Sequence, residues 1–477
     1  MSDRILWTRR RLLETGTIAA GSVVVRTVLW PSRAEAATRP SGYLLLCYFN
    51  GGWDQLLALD PRDTTLPRFQ QQSAYAPDGT GIYPAYDLVT DGVTKELLAA
   101  NPTGVQRPQL TVSSPLTFGP AIPAALFAHA QDLCVVRGVN MGTLTHEVGR
   151  RYFLTGKFPR GLSASGSALP TAVAAQAGDV ARLPNLSVGV ETYNETFPAF
   201  ASGLAVQGAG DVTSILSPAG AALSPGTDQA LRAFEAQELS CGGHAASGTE
   251  LATLFRASRE KARELVVSGA SSHFAFTLDP AQQSREIADL FATFGIATPD
   301  DLASAKGQAA LAAQALCRGI SQAVSIQLAI GIDDHGDGWT RTHAPNLRAG
   351  FTALANLITY LKAAPDPLGG SIWERTTLLV FSEFSRTPLV NPRNGRDHHL
   401  ASSCLLAGPG IKGNIVLGAT SDAAMVARLV DLSTGLPDDS GVALRPADLH
   451  ATVLQSMGLS YAHLANQTPQ LLQAALR

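Results

Sequence analysis

Six short runs along the chain are apolar at nearly every position: Tyr43 to Phe49, Leu133 to Val139, Leu186 to Val190, Ile326 to Ile332, Thr377 to Phe381 and Ser403 to Ala407. Such runs lack the alternation of a half-exposed strand and predict strands buried on both faces. Between them apolar residues recur at helical spacing, most clearly over Thr249 to Val267, Gln308 to Ile320, Leu347 to Leu361 and Pro446 to Met457. Strands alternating with helices predict an α/β fold with a largely parallel central sheet and helices on both faces. In that architecture functional side chains gather at the carboxyl ends of the strands.

Two stretches interrupt the rhythm. Residues 60–120 are rich in Pro, Gly, Asp and Thr, and residues 203–249 in Gly, Ala and Ser. Both read as insertions, the first close to the expected site because it follows the first strand. There is no internal repeat, so residues 37–477 read as one domain carrying these insertions.

The N-terminus has a different character. Thr8-Arg9-Arg10-Arg11-Leu12-Leu13 places paired arginines ahead of the mild apolar run Thr15 to Trp30, and Ala34-Glu35-Ala36-Ala37 offers small residues for cleavage after Ala36. This predicts a twin-arginine export signal over residues 1–36, with the twin-arginine translocase as a partner and the periplasm or the exterior as destination. The alternative is an uncleaved anchor. The run contains Gly16, Gly21 and Arg26, and it is shorter than the roughly 20 apolar residues of a membrane span. No later segment is long enough either, so no stable span is expected after cleavage.

A formal net charge of -3 gives no electrostatic case for a nucleic-acid partner. The five cysteines, Cys47, Cys134, Cys241, Cys317 and Cys404, lack paired spacing, and four sit in apolar stretches. They read as small buried hydrophobes rather than a disulfide framework.

Acidic and imidazole side chains cluster at the ends of the expected strands. Asp54 follows the first strand through Asn50-Gly51-Gly52-Trp53. Asp333, Asp334 and His335 follow Ile332, Glu383 closes the Thr377 strand, and Asp397, His398 and His399 precede Ser403. Carboxylates and imidazoles without cysteine suit Zn, Mn or Mg, and such an ion activates an anionic ester. Thr145, at the start of a helix running to Leu154, is a candidate nucleophile or an ordinary N-cap. Arg386 is a clamp for an oxyanion or a partner for Glu383. His146 orients the nucleophile, binds metal or packs. His343 and His399 read as supporting or surface imidazoles, Asp334 and Asp337 as solvated, and Arg150 as part of a solvated helix face.

The set Gly51-Gly52-Trp53-Asp54, Thr145-His146, Gly331-Ile332-Asp333-Asp334-His335, Ser382-Glu383-Phe384-Ser385-Arg386-Thr387-Pro388 and Gly395-Arg396-Asp397-His398 resembles the uncharacterised exported family 1501. That family in turn resembles the alkaline phosphatase and sulfatase superfamily, whose members use two metal ions and a Ser, Thr or modified Cys nucleophile. The resemblance implies Asp54, Thr145 and Glu383 around one metal, and Asp333, His335 and His398 around another. Phe384 stands where those enzymes commonly have a histidine. The expected function is hydrolysis of a small phosphate or sulfate ester with one or two divalent ions, Zn or Mn. The rival expectation is a non-catalytic metal-binding or assembly protein of the cell envelope on the same fold.

Overall fold

The computed structural model describes residues 42–70, 80–179, 181–217 and 266–477, with a few further positions between 224 and 264. The expected signal at 1–36, Cys241, most of the helix expected over Thr249 to Val267 and parts of both insertions lie outside the described residues. No helix among the described residues is long and apolar enough to cross a membrane. The chain divides into two compact units, one of residues 39–208 and 288–477 and one that includes residues 209–287. In the latter, the helix Ala209–Leu216 is tied to the turn Ala270–Phe274 by the Thr213 hydroxyl, which donates to the Phe274 carbonyl at 2.7 Å.

The larger unit is built on β1 (Tyr43–Phe49), β2 (Cys134–Asn140), β3 (Asn185–Val188), β4 (Leu204–Val206), β5 (Ala323–Ala329), β6 (Thr376–Phe381), β9 (Ala401–Ala407) and β10 (Ile415–Gly418). They form one sheet in the order β10-β2-β9-β6-β1-β5-β3-β4. A separate two-stranded ribbon pairs β7 (Ser385–Arg386) with β8 (His398–His399). Every residue of β1, β5, β6 and β9 is buried, so both faces of the sheet centre are covered. Stacked rings carry the packing outward. Tyr48 lies 5.0 Å from Phe381, and Phe381 lies 4.1 Å from Phe153 on the helix His146–Thr155. Cys47, Cys134 and Cys404 are buried free thiols, and burial pushes the Cys134 thiol up to about 12.

Only β9 runs against its neighbours. It pairs antiparallel with both β2 and β6, whereas all other pairs in the sheet are parallel. The consequence is geometric. The amino end of β9 lies at the same edge as the carboxyl ends of β1, β2, β5 and β6, so residues that precede β9 meet residues that follow the others.

The expected strands are all present, with one notable shift. The fourth begins at Ala323 rather than Ile326, leaving Ile330 to Ile332 in the loop beyond it. The helix expected from Gln308 starts at Ala305, because the Ser304 side chain accepts from the Lys306 amide at 3.2 Å and caps it. The strands β4, β7, β8 and β10 were not expected; at two to four residues each they leave little periodic signal.

Candidate metal centre

The loop after β1 is shaped by two glycines. Gly51 and Gly52 have φ of +127° and +77°, and a Cβ on Gly51 would stand 2.8 Å from the Asp333 amide nitrogen. A Cβ on Gly52 would meet the Phe384 ring at 2.5 Å. The loop is therefore seated between the chain leaving β5 and the chain leaving β6. The Gly51 amide donates to Glu383 Oε1 at 2.9 Å, and the Trp53 amide donates to Ser382 Oγ at 3.0 Å. Just past β2 the chain turns into the helix His146–Thr155. Its Gly149 lets it lie close to the Glu383 backbone, where a Cβ would be 2.4 Å from the carbonyl oxygen. The β7–β8 ribbon sets Arg386 directly across from His398.

Four side chains from these segments meet at the sheet edge. His146, Asp333 and His398 each offer a ligand atom within 4.8 Å of the others. His335 Nε2 is 2.9 Å from His398 Nε2 and 3.2 Å from Asp333 Oδ1. Asp333 Oδ1 is 3.3 Å from His398 Nε2, and Oδ2 is 3.3 Å from His146 Nε2. Each imidazole is anchored through its other nitrogen to a group that can only accept. His146 Nδ1 donates to Glu383 Oε1 at 2.7 Å, His335 Nδ1 to Asp397 Oδ1 at 2.6 Å and His398 Nδ1 to the Leu144 carbonyl at 2.6 Å. With Nδ1 donating, a neutral ring presents a lone pair at Nε2; that of His335 also faces Arg386 Nη1 at 3.3 Å. His335 Nε2 and His398 Nε2, at 2.9 Å, are close enough to share a proton or a cation. His146 Nε2 is buried without a hydrogen-bond partner. The contacts of 2.9–3.3 Å among Asp333, His335, His398 and His146 match the edges of a coordination polyhedron with bonds of about 2.0–2.2 Å, and His146, Asp333 and His398 form a group that could hold a divalent ion.

Charge follows the same pattern. For Asp333 burial works upward, but the Arg386 guanidinium at 2.6 Å holds the carboxyl well below its usual range. Burial lowers the His398 imidazole, whereas for His146 burial works downward but the carboxylates of Glu383 and Asp333 together raise it. The Asp333 side chain is 49 % exposed, so the cluster opens to solvent on its side.

Of the expected metal ligands, Asp333, His335 and His398 thus come together, whereas Asp54 and Glu383 are engaged by other groups. Asp54 is fully buried; its Oδ1 accepts from the Leu56 and Leu57 amides at 2.9 and 3.2 Å. Its Oδ2 accepts from Trp339 Nε1 at 2.8 Å and faces Arg396 Nε at 2.9 Å. Glu383, also fully buried, orients His146 instead of facing the open side. Thr145 occupies the N-cap position, exposed and without a side-chain capping bond. Arg386 pairs with Asp333 rather than Glu383. It also donates to the carbonyls of Gly51, Gly52 and Arg396, so it is spoken for as an oxyanion clamp.

The expected solvation of Asp334 gives way to a pairing with the buried His343 at 3.1 Å, whose Nε2 accepts from the Asp54 amide at 3.0 Å. Asp337 is exposed and accepts from Asn394. Arg150 is half-buried against Glu191 at 3.0 Å, not solvated. His399 is held by the Ala424 carbonyl at 2.9 Å. His146 and Asp397 acquire roles that residue type alone left open. The signal for Asp397 was its place one residue ahead of His398, and for His146 its place beside Thr145 at the start of the helix after β2.

A comparison with curated proteins found no match. The family model described as a protein of unknown function, DUF1501, matches residues 43–474, which takes in every segment that meets at this centre; the chain belongs to the DUF1501 family.

Proposed function

We propose that the protein is an exported hydrolase of small phosphate or sulfate esters, working through a divalent ion, Zn or Mn, held by His146, Asp333, His335 and His398. The observation that carries this reading is the convergence of three Nε2 atoms on Asp333, each ring held by an acceptor at Nδ1. Acceptors behind metal-binding imidazoles fix tautomer and ring angle in this way. An ion held there would polarise an ester oxygen and stabilise the charge that develops on it. Thr145, one residue before His146, is the candidate nucleophile: its hydroxyl is exposed and stands at the first turn of a helix. Free amides at such a turn favour an anionic group. An alkaline-phosphatase-like or sulfatase-like architecture is supported by the mostly parallel sheet and by the order of Asp54, Thr145, Asp333, His335, Glu383 and His398 along the chain. Export by the twin-arginine route is supported by Arg9 and Arg10 ahead of the short apolar run.

A second reading, a non-catalytic metal-binding or assembly protein of the cell envelope, is favoured by one observation. The donors of Arg386 are committed to backbone carbonyls and Asp333, which leaves the site without that clamp. The test is a screen of aryl phosphates, phosphodiesters and aryl sulfates with the Zn- or Mn-loaded mature chain, its Thr145→Ala variant and its His398→Ala variant. Turnover by the wild type that is lost in both variants is expected. Bound metal without any turnover would favour the second reading, and absence of bound metal by elemental analysis would end the hydrolase reading and leave only the assembly role.

A further inference from the structure

We infer that the centre takes a single cation, and that protein groups already occupy the carboxylate oxygens that a second cation would need. The inference rests on the metal reading above and concerns its stoichiometry. A two-metal site on this plan calls for Asp54, Thr145 and Glu383 as the second ligand set, and three independent features stand against it.

The first is Asp54. Its two oxygens already face two amides, the Trp339 indole and Arg396, all within 3.2 Å. Arg396 is itself wholly buried, its guanidinium 4.6 Å above the Trp339 ring, and its Nη1 and Nη2 donate to the carbonyls of Thr387, Tyr83 and Pro84. A cation at Asp54 would have to displace a guanidinium that has no other carboxylate partner among the described residues, and a buried charge deprived of its partner is strongly unfavourable. The second is Glu383. Oε1 is shared by the Gly51 amide and His146, and Oε2 lies 3.0 Å from Ser382 Oγ, so the carboxylate serves the first centre. The third is Phe384. Its ring centroid is 4.7 Å from that of His146 and 4.3 Å from that of His398, and it puts an apolar wall where the two-metal plan has another imidazole.

Arg386 completes the arrangement. It is 1 % exposed, it touches Asp333 Oδ1 at 2.6 Å, and its Nη1 is 3.3 Å from His335 Nε2. A permanent positive charge therefore stands against one oxygen of the ligand carboxylate and leaves the other toward His146. Arg386 is a positioning residue for Asp333, and its charge takes up part of the field that a second ion would supply.

The experiment is a cobalt titration of the metal-free mature chain, followed by visible d–d absorption, with equilibrium dialysis for the count and Mn(II) electron paramagnetic resonance for coupling. Absorption should saturate at one equivalent, and the Mn(II) form should give the six-line spectrum of an isolated ion. Thr145→Val, a change at an exposed side chain, and Asp54→Asn should leave count and spectrum unchanged. Arg386→Lys, which keeps the charge but loses the fork, should shift the d–d bands while keeping the count at one. Two equivalents on the wild type, or exchange-coupled Mn(II), would overturn the single-cation inference and leave the metal reading intact. Failure to bind cobalt at all would overturn both.

Discussion

Each imidazole of the centre owes its direction to one acceptor, and those acceptors differ in how much else depends on them. Asp397 is half exposed and holds His335 and Asn391, with the exposed Arg393 at 4.0 Å. Asp397→Ala should therefore fold normally yet weaken ion binding by about 10–100-fold, the usual cost of losing such a support. Chelator competition measures it, and an unchanged affinity would mean that His335 is not a ligand. Asp54→Ala should do the opposite. It strands the buried Arg396, so urea unfolding should show a loss of about 3–5 kcal/mol while the ion count per chain stays the same. Both predictions turn on information absent from residue type. The sequence offers Asp54 and Asp333 as equivalent strand-end carboxylates, and only the packing of Arg396 and Trp339 around one of them separates a structural from a solvent-facing role. His146 was ambiguous for a related reason: an imidazole at a helix start serves a cap, a core or a metal equally well until its two nitrogens have named partners.

Among the elements, the helix His146–Thr155 is held at both ends. At its start Gly149 permits contact with the Glu383 backbone; at its end the Phe153 carbonyl accepts from His450 Nε2 at 2.6 Å. Gly149→Ala should push the helix away from β6, costing about 1–3 kcal/mol as an overpacked contact does and weakening ion binding through the displaced His146. Thermal melts and chelator competition on one variant would show whether the two effects travel together. His450 gives the element a pH dependence. Burial lowers its pKa to about 3 from the ordinary 6.5, so the unfolded chain takes up the proton first. Its contribution is fully present above pH 6.5 and declines as pH falls toward 3, by up to about 1.4 kcal/mol per pH unit. His450→Gln should flatten the urea midpoint between about pH 6 and 4; an unaltered slope would assign the acid sensitivity to other groups. Element type was legible where burial was complete, as in β1 and β6, because an unbroken apolar run has few other uses. The sense of β9 was not. A strand buried on both faces carries no mark of whether its neighbours run with it, and the meeting of His398 with Asp333 depends on that sense.

For the molecule as a whole, the free thiols at Cys47, Cys134 and Cys404 imply that a reductant should not move the melting temperature. A fall of several degrees with dithiothreitol would reveal a disulfide that the scattered cysteine spacing gives no reason to expect. The reversed strand has a further consequence, in time rather than space. The two sheet neighbours of β2 are β9 and β10, both drawn from the last fifth of the chain, so β2 leaves the ribosome with no strand to pair. About 260 residues separate its end from the start of β9, which at 5–20 residues per second is a wait of roughly 13–50 s. Throughout that interval Val135, Val136 and Val139 must be shielded by something other than their final partners. Pairing of β2, and with it the meeting of His398 and Asp333, therefore waits on the synthesis of β9 and β10.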